Sequence, residues 1–485
     1  MKKKKNLLRF ILILITVLLP FAFIAGSLAF LPKIYGETFL GELADKYELL
    51  NSTNEKKIVI VGGSSVAFGL DSGMIEEATG YKTVNFGLYA TLGTKLMLDL
   101  SLSNINEGDI IILAPELNEQ TLSLYFNASS AWQALEGDFS MLRFVGIDNY
   151  PDLAGNLFSY LGKRYEYALE GRTVKQTGVY SRSAFNEYGD IVYPREYNVM
   201  TYEYDKSQTI TLEPSIFDEE FIEYVNKYIR KVEGRGAEVY FSFCPMNSSA
   251  MAKGTTDESI HEFTDYIEDN INCEIISNPR DSIMDKGYFY DTNFHLNDAG
   301  VTVHTRYLTN DILRTLGRTD AVTLELPEPP GKKPAETKEP TSDYEEDPFE
   351  KYFVFETVDG LLTITGTTDA AAYMTELTIP ATYKGQDVLV LGKEGSAVFS
   401  KCSLLEYVTV RENLSLIANG AFASCPTLKG IIMDRESEES LEASDEVFSG
   451  APASLKILFL KEEIFDKFST GYWWAYHSDR MEMKK

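Results

Sequence analysis

Between residues 57 and 316 short apolar runs alternate with amphipathic stretches, and no other feature of the chain narrows its fold as much. The runs at 57–61, 83–86, 109–114, 238–244 and 273–276 have the length and the Ile, Val and Phe content of buried strands. The segments at 71–79, from 92 onward, and at 218–233, 258–270 and 298–316 carry their apolar residues at helical spacing. Strands joined by helices rather than by tight turns pair in parallel, because a parallel connection has to cross the sheet. The expected fold class is therefore α/β, a five-stranded parallel doubly wound sheet. Residues 120–214 break the pattern: they are rich in Tyr, Asn and Gly without a sustained period, and are expected to form an insertion over one edge of the sheet, of the kind that makes a lid.

Beyond the sheet the chain changes character. Six of its 17 prolines fall between Pro327 and Glu350 among lysines and glutamates, a composition that favours an extended linker. After it, Phe399, Cys402, Leu405 and Val408 recur 23 residues later as Phe422, Cys425, Leu428 and Ile431, and a degenerate copy starts at Phe448 with Pro452, Leu455 and Ile457. A fixed period of this length means a stacked solenoid in which each unit buries its apolar face on the next. Tyr472, Trp473 and Trp474 are expected to cap it, and Cys402 and Cys425 to be core residues one repeat apart. The segment from about 377 to 460 resembles the BspA-like leucine-rich repeats of bacterial surface proteins, through those Phe, Cys and Leu positions and the run Leu377-Thr-Ile-Pro380. The expected organisation is a tail and anchor at 1–31, a wound domain at 32–318 with its insertion at 120–214, a linker at 319–350 and a repeat domain at 351–485. The two halves are expected to fold independently.

Four lysines at 2–5 and Arg9 precede an uncharged run of 22 residues, 10–31. Its length and flanking charge predict a transmembrane helix with a cytoplasmic N-terminus, and hence a single-pass protein of the cell membrane with the bulk of the chain extracellular; a cleaved signal peptide, the competing reading, exports the same body. The 485 residues carry 45 Lys and Arg against 73 Asp and Glu, a net charge of −28 that argues against a nucleic-acid partner, since phosphate binding needs a basic face. Four cysteines without CxxC or Cys/His spacing give no structural zinc site, and no metal or cofactor is expected.

In a parallel wound sheet a ligand binds beyond the carboxyl ends of the strands. Those positions hold Gly62-Gly63-Ser64-Ser65 after the first run, Asn85-Phe86-Gly87 after the second, Pro115-Glu116-Leu117-Asn118 after the third, Pro245-Met246-Asn247 after the fourth, and Asp291-Thr-Asn-Phe-His295 ahead of the last helix. A glycine pair turns the backbone sharply and leaves a hydroxyl beside free N–H groups. Taken alone, Ser65 rivals Ser64 as the exposed hydroxyl, His295 has a second reading as a helix cap, and Glu116 and Asn118 read equally as groups that satisfy backbone at a strand end.

These blocks resemble the SGNH/GDSL hydrolase superfamily over the first 318 residues. The resemblance implies Ser64 as nucleophile, His295 as its base, Asp291 as the group that orients the imidazole, and an oxyanion site built from the N–H groups of Ser64 and Gly87 with the amide of Asn118. The family's third block, Gly-x-Asn-Asp, is here Ala114-Pro-Glu-Leu-Asn118. Its Asp-x-x-His is Asp291-x-x-x-His295, so a smaller contribution is expected from Asp291 than from His295. The implied function is that of a cell-surface serine esterase or O-acyltransferase acting on ester-linked acyl groups of envelope carbohydrate, its partner an acylated carbohydrate or wall polymer. The alternative is a non-catalytic surface binding or adhesion protein whose repeats hold a protein or glycan ligand.

Overall fold

The structure, a computed structural model, describes residues 19, 23–323, 325–331, 348–393, 395–435, 441–444, 446–470 and 473–484. Strands β1 (Lys57–Gly62), β2 (Lys82–Gly87), β3 (Ile110–Ala114), β4 (Glu238–Phe241) and β5 (Glu274–Ile275) form one sheet, parallel throughout, in the order β2-β1-β3-β4-β5. The helices that matter to the site and its support are α1 (Leu43–Ser52), α2 (Ser64–Phe68), α3 (Ser72–Thr79), α4 (Thr94–Ser101), α5 (Tyr150–Glu170), α6 (Glu219–Glu233) and α7 (Asp298–Thr315).

β1 reads Lys-Ile-Val-Ile-Val-Gly and is buried along its whole length. Its period of two sends Ile58 and Ile60 to one face, where they pack with Ile75 of α3 and Leu308 and Ile312 of α7. Val59 and Val61 go to the other face, into a larger cluster with Leu96 and Leu100 of α4 and Val225 and Ile229 of α6. Both faces are thus covered, which is why the strands are apolar runs rather than alternating ones. At the amino end of β1 the Lys57 ammonium lies 2.7 Å from Asp109 Oδ2 with both side chains buried; removing either partner strands a buried charge, at a cost of about 3–5 kcal/mol.

The expected fold class is corrected: the architecture is mixed α/β with several sheets, mostly parallel, and no helix among the described residues is long and apolar enough to cross a membrane. The N-terminal transmembrane helix, and the single-pass membrane location that rested on it, are therefore withdrawn. Most of the run 10–31 lies outside the described residues. The part within them, 23–30, is helical and rests on α5: the Phe23 ring stacks on Tyr165 at 6.0 Å, Ser27 Oγ lies 2.7 Å from the Tyr165 hydroxyl, and the Arg164 guanidinium donates to the carbonyls of Leu31 and Pro32.

The stretch 120–214 is also more regular than its composition predicts. It contains α5, 21 residues long, with Pro151 in its first turn and Gly171 closing it at φ 67°. The buried stripe of α5 is Leu153, Tyr160, Leu161, Arg164 and Tyr167, so aromatic and cationic side chains stand where an apolar period would have been legible. The later part of the stretch runs over the carboxyl end of the sheet, with Asn85 N–H donating to Tyr188 O at 3.0 Å and Ile191 N–H to Ala67 O at 3.1 Å.

The repeats build two further sheets. Glu376–Thr378, Tyr407–Val410, Gly430–Met433, Lys456–Phe459 and Met481–Met483 form a parallel ladder. Phe353–Val358, Leu361–Thr367, Val390–Leu391, Leu416–Ile417 and Glu442–Ala443 form the other, antiparallel only in its first pair. Val408 pairs with Ile431, one period on, and the rings of Phe399, Phe422 and Phe448 stack at 5.7 and 5.9 Å. Cys425 Sγ reaches Cys402 O at 3.7 Å, and all four cysteines are free thiols. Trp474 is buried against Phe468 at 5.4 Å with its indole N–H on Leu441 O; Tyr472 lies outside the described residues.

Residues 332–347, the middle of the expected linker, also lie outside the described residues. Before them the chain follows the first half, with the Tyr288 hydroxyl donating to Pro327 O at 2.8 Å. The two halves are in contact elsewhere: Thr201 N–H and its hydroxyl donate to Glu442 Oε1 at 2.7 and 2.9 Å, Lys206 pairs with Asp359 at 2.9 Å and Arg172 with Glu462 at 2.5 Å. Hydrogen bonds and ion pairs thus join the halves beyond the linker, contacts that the sequence does not indicate.

Candidate active site

The chain leaves β1 through Gly62 and Gly63 and enters α2 at once, so Ser64 stands at the first helical position. Gly62 is required by close approach, and Gly63 is crowded. A Cβ on Gly62 would lie 2.4 Å from Ala114 O, and one on Gly63 would lie 3.0 Å from Glu116 Oε1. On the neighbouring strand Gly87, paired with Gly62, lies so near α2 that a Cβ there would meet Val66 Cβ at 2.4 Å.

His295 arrives from the far end of the sequence on a loop held by its own backbone. Tyr290 N–H donates to His295 O at 2.8 Å, Thr292 Oγ1 accepts the N–H groups of Phe294 and His295, and Asn297 caps α7 by accepting Gly300 N–H at 3.0 Å. Asn293, fully buried, fastens the loop to the insertion: its amide donates to Asp205 O and Gln208 O, and its Oδ1 accepts Asp205 N–H at 2.8 Å.

These two loops bring three side chains into line. His295 Nε2 lies 2.8 Å from Ser64 Oγ, and His295 Nδ1 lies 2.8 Å from Asp291 Oδ1. The extra residue between aspartate and histidine is absorbed by the Thr292 turn, so the carboxylate still meets the ring at its Nδ1 edge. All three side chains are buried, with Ser64 and His295 each 1 % exposed. The imidazole lies flat on Phe68, ring centroids 3.9 Å apart and planes 5° from parallel, and Tyr180 from the insertion donates to Asp291 Oδ2 at 2.5 Å. Neither Phe68 nor Tyr180 was legible as a site residue. Phe68 follows from its place one helical turn past Ser64, whereas Tyr180 lies in a stretch without periodicity and carries no signal.

The remaining candidates are placed differently. Ser65 Oγ is buried without a hydrogen-bond partner among the described residues, and so lacks the histidine that Ser64 has. Gly87 N–H is taken up by Asn85 Oδ1 at 3.1 Å. Asn85 in turn donates to Val66 O and to Asp190 Oδ1, and burial raises the Asp190 carboxyl above the usual range. Asn118 is half-buried and its Oδ1 accepts Thr121 N–H at 3.0 Å, a side-chain bond within its own loop. The residue beyond β3 that meets Ser64 is Glu116: its Oε1 lies 3.0 Å from Ser64 Oγ and accepts Ser65 N–H at 2.9 Å.

A cavity of about 100 Å³ lies on the other side of Tyr180, lined by Phe39, Tyr89 and Gln133 and, from the end of the chain, by Ser469 and Ser478. A second, of about 210 Å³, separates the insertion at Tyr202 and Asp205 from the repeats at Leu416, Glu442 and Trp473. Among the described residues no group of three or more His, Cys, Asp and Glu is arranged to hold a metal ion.

No family model and no curated protein matches the chain. Among solved structures, 24% of it is similar to a leucine-rich cell surface protein from Faecalibacterium prausnitzii A2-165, at 22% identity and a TM-score of 0.19, and the match spans 30% of that protein's chain.

Proposed function

We propose that this chain is a serine esterase or O-acyltransferase of the SGNH type. The observation that carries the proposal is the unbroken run of contacts from Asp291 through His295 to Ser64, each link 2.8 Å. In this reading Ser64 Oγ attacks an ester carbonyl, His295 Nε2 takes the serine proton and returns it to the leaving alkoxide, and Asp291 holds the tautomer and stabilises the imidazolium. Water or an acceptor hydroxyl then attacks the acyl-serine by the same route in reverse. The Phe68 face and the Tyr180 hydroxyl keep the ring and the carboxylate in position and exclude water from them. The substrate class, ester-linked acyl groups of envelope carbohydrate, comes from the resemblance of the glycine–serine and aspartate–histidine blocks, and a protein or glycan ligand for the repeats belongs to the same proposal.

The test is covalent labelling of the full chain by a fluorophosphonate, with Ser64→Ala as control. Labelling of the wild type and none of the variant supports the reading; an unlabelled wild type, or equal labelling of both, overturns it. Product analysis with and without a glycan acceptor then separates transfer from hydrolysis.

A further inference from the structure

The hydroxyl of Ser64 has one hydrogen and two partners that both ordinarily accept it, His295 Nε2 at 2.8 Å and Glu116 Oε1 at 3.0 Å. One of the two contacts can use the serine's own hydrogen. The other needs a donor, either an N–H on His295 Nε2 or an O–H on Glu116. With Asp291 ionised, His295 Nδ1, 2.8 Å from its Oδ1, is the ring nitrogen that carries the hydrogen. Satisfying every contact therefore takes one proton more than a serine, a neutral histidine and an aspartate hold between them.

We propose that Glu116 is a catalytic residue that shares this proton with His295 and, as a neutral carboxyl, donates a hydrogen bond to the oxyanion. The inference rests on the serine acyl-transfer reading. In the resting site the proton is on His295, with Ser64 donating to the Glu116 carboxylate, or on Glu116, with Ser64 donating to His295. Both forms lead to one intermediate. When Ser64 Oγ bonds to the acyl carbon and the carbonyl π pair moves to its oxygen, the serine proton goes to whichever partner lacked one, leaving an imidazolium and a neutral Glu116 carboxyl. Collapse expels the alkoxide, which takes its proton from His295 Nε2, and Glu116 keeps its own. Deacylation repeats these transfers with the acceptor hydroxyl, and at its end Ser64 recovers a proton and the shared one remains. The carboxyl stands beside the atom that binds the acyl carbon, anchored by Ser65 N–H, whereas Gly87 N–H is engaged by Asn85 Oδ1. A bare carboxylate in that place would repel the developing oxyanion, so the extra proton is a condition of turnover. Gly63 keeps the place open, since a Cβ there would crowd Glu116 Oε1.

The test is the pH profile of kcat/KM on a small chromogenic ester for the wild type, E116Q and E116A, with circular dichroism to confirm the fold of each. The wild type should lose activity on both sides of an optimum: in acid because His295 and Glu116 both hold protons before attack, in alkali because the shared proton is gone. E116Q, neutral at every pH, should lose the alkaline limb and keep the acid one. E116A should lower kcat by about 10²–10³, the usual effect of deleting one oxyanion donor, with KM little changed. An E116Q profile that keeps both limbs, or E116A within tenfold of the wild-type kcat, overturns the proposal and leaves Glu116 as a brace for the α2 turn. A wild type labelled by the fluorophosphonate in either of those cases confines the failure to Glu116, whereas an unlabelled wild type overturns the acyl-transfer reading and this inference together.

Discussion

His295 is held on three sides by groups of different kinds, the Phe68 ring against its face, Asp291 at Nδ1 and Ser64 at Nε2. The face contact fixes the ring plane and the two edge contacts fix its rotation within that plane. Replacing His295 by alanine should lower turnover by at least ~100-fold with the fold intact, since a positioned general base commonly supplies 10²–10⁴. The sequence spacing alone predicts a milder effect for Asp291. The geometry predicts otherwise: Asp291→Ala should fall within about tenfold of His295→Ala, because a carboxylate at Nδ1 selects the tautomer that leaves Nε2 free to accept a proton. Steady-state kinetics on one ester checks both, and a near-normal kcat for Asp291→Ala would return the site to a serine–histidine pair. At this scale the convergence of Ser64, Asp291 and His295 was legible, because Ser64 directly follows the first apolar strand and Asp291 and His295 share one short loop ahead of the last helix. The partner of Ser64 beyond the third strand was not. Glu116 and Asn118 stand two positions apart in one loop; Glu116 turns toward Ser64, while contacts with Thr121 hold Asn118 within its own loop.

Elements were legible where one face or both meet apolar neighbours. The strand β1 begins and ends within a residue of the apolar run that marks it, and α6 and α7 lie within two residues of their helical periods. The short strands Met246–Asn247 and Ile283–Met284, paired with each other near the site, have no pattern to read at two residues each. In α5 the cues were punctuation rather than period, a proline in the first turn and a left-handed glycine after the last. The repeats illustrate the opposite case, since a single spacing specifies their contacts. Phe422 is fully buried and stacked between Phe399 and Phe448, so it contributes to the packing of two neighbouring units at once. Phe422→Ala should cost about 3–5 kcal/mol, the range for emptying a buried phenylalanine site. Urea denaturation of the full chain should record this as a lower midpoint, and a midpoint unchanged from wild type would mean that the phenylalanine column does not hold the stack together.

For the whole molecule the decisive contact is one that neither half of the sequence announces. Glu442 belongs to the repeats, is buried, and accepts two hydrogen bonds from Thr201 of the insertion, while Asn293, two residues from His295, is bonded to Asp205 of that same insertion segment. Burial, with smaller contributions from the Asp205 and Asp291 carboxylates, pushes the Glu442 carboxyl up from 4.5 to about 8, against the pull of the Thr201 donors. A carboxyl whose pKa is higher folded than unfolded binds its proton more tightly in the folded state. Its contribution to stability is therefore complete below about 4.5 and is lost as pH rises through about 8, by up to ~1.4 kcal/mol per pH unit in that window. Glu442→Gln keeps an oxygen to accept both Thr201 bonds and has no proton to lose, so the fall in melting temperature between pH 5 and pH 8 should be shallower in the variant than in the wild type, and the variant should melt higher at the alkaline end. Because the insertion segment also holds the histidine loop, the same pH range should loosen that loop in the wild type, visible as faster amide hydrogen exchange at residues 291–297 once the intrinsic pH dependence is removed. Parallel melting curves for the two proteins from pH 5 to pH 8 would show that Glu442 is ionised in the folded state throughout, and that the join between the halves does not depend on its proton.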